Sequence, residues 1–199
     1  MRLTDSAQAV QARMALCQPE HTLMGFFFEG LLEGVERLAG EETLREARAM
    51  TRGLAKLKSH QSCSALEYLS VLDLAGRELE RRGQDYAVAV EQVARAASER
   101  VFSSAVGQLV LAIAGDDPHR GLSNVPGLAG ATCTFGERDY ERVSDTSARL
   151  SFRGDLLGPS WCMGLTLGGV SRGPTGQRFV AELEAGADPF TDFSLVVRW

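Results

Sequence analysis

Residues able to do chemistry are few in this chain and stand far apart. The three histidines, His21, His60 and His119, all fall between stretches of helical patterning. Cys17, Cys63, Cys133 and Cys162 form no CxxC and no Cys/His pair at metal-ligand spacing. They read as reduced thiols serving as small apolar side chains, and no metal site is expected. Glu137, Arg138, Asp139, Glu141 and Arg142 make a dense ionisable cluster. A carboxylate pair there could do acid–base work, given a cleft and a shifted pKa. Alternating signs on a polar connection between two strands read instead as solvated surface. The chain has no GxSxG elbow, no GxxxxGK[ST] phosphate loop and no GxGxxG after a strand. No catalytic residue is assigned, and the expectation is a protein that is not an enzyme.

The aromatic residues are more informative. Phe26, Phe27, Phe28, Tyr68, Phe102 and Trp161 all lie in stretches of helical period. They could fill a core, or they could surround a small apolar pocket. Phe27, Tyr68, Phe102, Trp161 and Leu165 are the candidate ligand-binding residues, with Trp161 directed by the turn that Pro159 opens. The ligand is expected between the two glycine-bearing helices described next.

The elements that must position these residues begin with Thr22 to Leu38. Its apolar residues recur at steps of three and four, leaving only Glu29, Glu33, Glu36 and Arg37 for water. Gly30 and Gly34 sit one turn apart on its apolar face, and their cost inside a helix, about 1 kcal/mol each, points to close packing against a neighbour. This helix is expected to be central, starting at a Thr22 cap, and its apolar surface predicts a homodimer. A short lead-in helix, Ser6 to Leu16, is expected before it. After Gly40 a charged amphipathic helix carries Leu44, Ala47, Met50 and Leu54 inward. Ser59 to Cys63 breaks the pattern, and a helix from Ser64 to Gly83 follows. Tyr86 to Ala114 is one long apolar stripe with a bend or break near Ser103, stopped by Gly115 to Pro118.

Beyond Pro126 the pattern changes to alternation. Ala131 to Phe135 and Ala148 to Phe152 read as strands, followed by a helix from Pro159 bearing Gly164 and Gly168. QRFVAELEAG and DFSLVVRW read as two closing strands. The order predicts an α+β fold, an N-terminal helical bundle followed by a small antiparallel sheet with an inserted glycine-bearing helix. We expect one domain over 1–199, with a lead-in over 1–20, a helical part over 21–117 and a sheet part over 127–199.

Composition limits the partners. With a formal net charge of −5 and no basic run longer than two residues, nucleic acid is not expected. No apolar run reaches the roughly 18 residues of a membrane span. The charged N-terminus lacks the apolar core of a signal peptide, so a cytoplasmic location is expected.

Leu122-Ser123-Asn124-Val125-Pro126, Phe135-Gly136-Glu137-Arg138, Pro159 with its glycine helix and the final tryptophan resemble a large paralogous family of myxobacteria. Met24 to Leu32 and Phe102 to Gly107 carry the same likeness. Gly154-Asp155-Leu156-Leu157 departs from it, standing where that family tends to carry an aromatic. More distantly, the helices followed by strand–strand–glycine helix–strand–strand are similar to haem–nitric oxide sensor domains, four-vinyl reductase sensor domains and TRAPP vesicle-tethering subunits. That likeness implies a sensory or binding module of a bacterial regulatory system enclosing a small apolar ligand, or a TRAPP-like interaction subunit with a protein partner and no ligand. His119 lies loosely where the haem sensors carry their proximal ligand. Their Tyr-x-Ser-x-Arg porphyrin clamp finds only Ser151 and Arg153, so no cofactor is expected.

Overall fold

The computed structural model describes residues 5–51, 59–171, 178–184 and 190–199. The first elements are α1 (Ala7–Ala15), β1 (Thr22–Met24), α2 (Gly25–Ala39), α3 (Glu41–Met50), β2 (Ser62–Ser64) and α4 (Ala65–Arg81). The sequence read a helix from Thr22, but its first three residues form β1, antiparallel to β2 with Leu23 opposite Cys63. The N–H groups of Gly25 and Phe26 donate to the carbonyls of Gln61 and Ser59. The first turn of α2 thereby satisfies two of its free donors with a distant segment rather than with a Thr22 cap. Leu54 lies outside the described residues.

The long apolar stripe divides into α5 (Tyr86–Ser103) and α6 (Ala105–Ala114). Ser104 ends one helix and caps the other, its hydroxyl accepting from the Gly107 N–H at 3.0 Å. Then come α7 (Pro118–Ser123), α8 (Val125–Thr132), β3 (Glu137–Ser144), β4 (Ser147–Arg153), α9 (Pro159–Val170), β5 (Val180–Leu183) and β6 (Phe193–Arg198). The architecture is α+β. The four C-terminal strands make one antiparallel sheet in the order β3-β4-β6-β5.

Two sequence assignments shift here. Ala131 to Phe135 is not a strand: α8 runs to Thr132, started by Pro126 in its first turn, and only Cys133 pairs, with Leu23. The charged cluster is itself strand β3, not a connection. Its side chains pair across to β4, Asp139 with Arg153 at 2.5 Å and Glu141 with Arg149. An edge strand carries such charges readily. Of the closing strands, Gln177, Ala185 and Gly186 lie outside the described residues.

The central helix is α5, not α2. Both glycine helices lie against it, α2 on one side and α9 on another. A Cβ on Gly30 would stand 2.7 Å from the Ala97 carbonyl oxygen, and one on Gly34 would stand 2.9 Å from that of Val93. On α9, Gly164 meets the Glu91 carbonyl and Gly168 meets Ser98 in the same way. Ala94 and Ala97, both fully buried, keep α5 slim enough for these approaches. The apolar face of α2 that argued for a homodimer is therefore covered within the chain.

The sheet turns Ala148, Leu150 and Phe152 of β4 and Phe193, Leu195 and Val197 of β6 inward, all buried. Leu150 stands opposite Leu195, and the Phe152 and Phe193 rings stack at 4.6 Å. The lead-in is tied in as well. Arg13 and Asp5 form a buried ion pair at 2.6 Å, and the second Asp5 oxygen accepts from the Ser160 N–H at the start of α9.

Candidate functional site

Pro159 and Gly158 start α9 at a point held by buried charge. Asp155, fully buried, accepts from the N–H groups of Leu157 and Gly158 and pairs with the Arg138 guanidinium, itself nearly buried. Gly158 takes φ +83°, and Arg13 lies where a Cβ would project, so only glycine serves there. This fixes the next turn, and with it Trp161, which has no exposed surface.

Trp161 forms part of the wall of an apolar cavity of about 80 Å3. Phe27, Phe102, Trp161 and Leu165 line this inner lobe together. Tyr68 lines neither lobe. It stands behind Trp161, ring edge to ring face at 5.3 Å, with Phe28 behind it at 5.7 Å. A second lobe, also about 80 Å3, lies outward beneath α6 and α7, walled by Val110, Leu111, Leu122 and Phe179. Phe102, Val125, Leu128 and Thr166 line both lobes. The space thus lies between α9 and the α6–α8 segment. Phe27 of α2 and Trp161 and Leu165 of α9 share the inner lobe, which α8 and the sheet residues Arg138 and Phe152 close.

Sequence reasoning missed the α6–α8 wall. The sequence shows only that VGQLVLAIA and VPGLAGA are as apolar as the core helices; the structure adds that α6 buries only Gly107 and Ala114, and α8 only Thr132. Apolar residues that cover a cavity rather than fill a core produce this mismatch.

The inner lobe carries little free charge. Arg138, the cation in its wall among the described residues, is neutralised by Asp155 and also donates to the Phe135 carbonyl at 3.0 Å. Burial pushes the Cys133 thiol up to about 11 and the Cys162 thiol well above its ordinary value, so both are neutral. Two donors nearby have no protein partner, the indole N–H of Trp161 and the hydroxyl of Tyr68. Among the described residues no group of histidine, cysteine and carboxylate side chains could hold a metal ion.

The profile of a family described as Protein of unknown function (DUF2378) matches residues 16–199. No curated protein matches the sequence. Among solved structures, the Fe(II) unliganded H-NOX protein from K. algicida is similar, with 14% identity over 88% of this chain and 96% of that chain and a TM-score of 0.65. The S. oneidensis H-NOX protein in the Fe(II)NO ligation state has 13% identity over 88% of this chain and 98% of that one, at a TM-score of 0.63. A point mutant of T. tengcongensis H-NOX gives 12%, 88%, 97% and 0.59 for the same quantities. These likenesses establish the fold.

Haem belongs to that fold family, but the residues present here do not fit it. His119 lies in the wall of neither lobe. Its Nδ1 meets the Tyr140 hydroxyl at 2.7 Å and its Nε2 the Asp145 carbonyl at 3.2 Å. A carbonyl only accepts, so Nε2 donates to Asp145, and the Tyr140 hydroxyl occupies Nδ1, leaving neither nitrogen for iron. Ser151 hydrogen-bonds with Ser194, and Arg153 pairs with Glu137 and Asp139 on the charged outer face of the sheet. Each lobe is smaller than the roughly 150 Å3 cavity that admits benzene, and far smaller than a porphyrin.

Proposed function

We propose that this chain, which belongs to the DUF2378 family, is a non-enzymatic sensory or binding module that takes a small apolar molecule into the two-lobed cavity between α9 and α6–α8. The observation that carries the reading is the pair of abutting apolar lobes under helices whose own side chains are poorly buried. Ligand entry would bury apolar surface of Val110, Leu111, Val125 and Leu128, at roughly 25 cal/mol per Å2. Phe27, Phe102, Trp161 and Leu165 would touch the ligand, and Tyr68 would support Trp161. Movement of α6–α8 on binding is the natural output, because that segment covers the cavity. The fold likeness to the H-NOX proteins supports the reading at this coarse level only.

Intrinsic fluorescence tests it. Trp161 lines the inner lobe, whereas Trp199 packs on His119 at 4.6 Å and on Phe179 at 5.9 Å, one residue removed from the outer lobe. An apolar quencher should reduce the emission of wild type and of Trp199→Phe, and leave Trp161→Phe much less affected. No response in wild type would remove the site.

A second reading is a protein-interaction subunit, with a homodimer as its simplest form. It is favoured by Leu109 and Ile113 on α6, 61% and 47% exposed. Sedimentation that shows a monomer at tens of micromolar, on the order of ordinary dimer affinities, would count against the dimer.

A further inference from the structure

Among the described residues, four buried side-chain polar atoms find no protein partner: Arg13 Nε, Tyr68 Oη, Ser160 Oγ and Trp161 Nε1. Tyr68 and Trp161 pack ring edge to ring face at 5.3 Å, Ser160 precedes Trp161 in the first turn of α9, and Trp161 is a wall residue of the inner lobe. A buried donor without a partner costs roughly 1–3 kcal/mol, and native proteins rarely leave several together. Aromatic packing alone does not account for the Tyr68 hydroxyl, since phenylalanine there would fill nearly the same space without that cost.

From this, and resting on the ligand-binding reading above, we propose that the occupant is an uncharged molecule with one hydrogen-bond-accepting oxygen, of the class of a medium-chain ketone, aldehyde or ester. Its oxygen takes the indole N–H of Trp161 in the inner lobe, and its hydrocarbon part runs past Phe102, Val125 and Leu128 into the outer lobe. The class follows from three observations. The two small lobes, adjacent across the wall residues they share, suit a slender chain and not a fused ring system. The unpartnered group on the wall residue Trp161 is a donor, which calls for an acceptor. A carboxylate is disfavoured because Arg138, the cation within reach, is already neutralised by Asp155, and a second buried anion would be uncompensated.

Titration calorimetry of the full chain with 2-heptanone, heptane and heptanoate tests this. The ketone should bind roughly ten times more tightly than the alkane, and heptanoate should be weakest. Trp161→Phe should abolish the preference for the ketone over the alkane, bringing their affinities together. Should that variant fold poorly, the indole N–H proton resonance of Trp161 in wild type serves instead. The ketone should move it downfield and heptane should not. Equal binding of ketone and alkane, a persisting ketone preference in Trp161→Phe, or tightest binding of heptanoate would each overturn the acceptor while sparing the cavity. Failure of all three probes to bind would overturn the ligand-binding reading itself.

Discussion

Asp155 is the residue on which the site's geometry most depends. Fully buried, it accepts two backbone N–H groups ahead of α9 and compensates Arg138. Removing one partner of a buried pair leaves an uncompensated charge, so Asp155→Ala should destabilise by about 3–5 kcal/mol in urea denaturation. Asp139→Ala should cost at most about 1 kcal/mol, because its bridge to Arg153 is exposed to solvent. Equal costs would mean that Asp155 is not buried in solution. The thiols give a pH prediction. Burial pushes Cys133 up to about 11, and burial followed by Glu67 and Glu29 does the same for Cys63. An unfolded thiol ionises near about 8.5. Both raised values therefore contribute stability that is present in full below that pH and is lost as pH rises toward 11. The thermal midpoint should fall between pH 9 and 11, and less steeply in Cys133→Ala than in wild type. Parallel curves would place Cys133 in water.

At the scale of elements, the molecule is built on the contacts of α5 with two glycine-bearing helices. The spacing of Gly30 with Gly34 and of Gly164 with Gly168 was legible in the sequence as a call for close approach, and both pairs do approach a neighbour closely. Their shared partner was not legible. The small residues of α5 read as an ordinary apolar stripe, and nothing local distinguishes a helix that receives two neighbours from one that receives one. The α8–β3 boundary was misread for a related reason. Alternation over Ala131, Cys133 and Phe135 imitates a strand, while β3 is so charged that its pattern resembles a loop. Gly164→Ala should destabilise by roughly 1–3 kcal/mol, as overpacking does, because its new Cβ would meet the Glu91 carbonyl and the Ala94 side chain. Gly130→Ala on α8 meets nothing within 4 Å and should stabilise by about 0.4–1 kcal/mol. Thermal denaturation of the two variants in opposite directions is the expected result, and a shift in the same direction would disprove the close approach.

For the whole molecule, the outer face of the sheet and the cavity region divide the surface into two kinds. Arg149 bridges Glu141 and Glu184, Arg153 bridges Glu137 and Asp139, and Arg198 bridges Glu182, so the sheet face is ionic and suited to water. Opposite in character is α6–α8, apolar yet half-exposed, over space rather than over packed side chains. Stability across a fold follows buried contact, so this segment should open at lower free energy than α5 or α9. No helix among the described residues is long and apolar enough to cross a membrane, so the apolar character of α6 is not that of a span. Amide hydrogen exchange should therefore be fastest in 105–132 among the helical segments, and slowest in α5. An apolar probe that fills the cavity should slow exchange in 105–132 selectively, since it binds the closed state and not the open one. Exchange in α6–α8 as slow as in α5 without a probe would mean that the segment is packed core. Uniform slowing across the whole chain would mean that the probe stabilises the fold globally without using these helices as a cover.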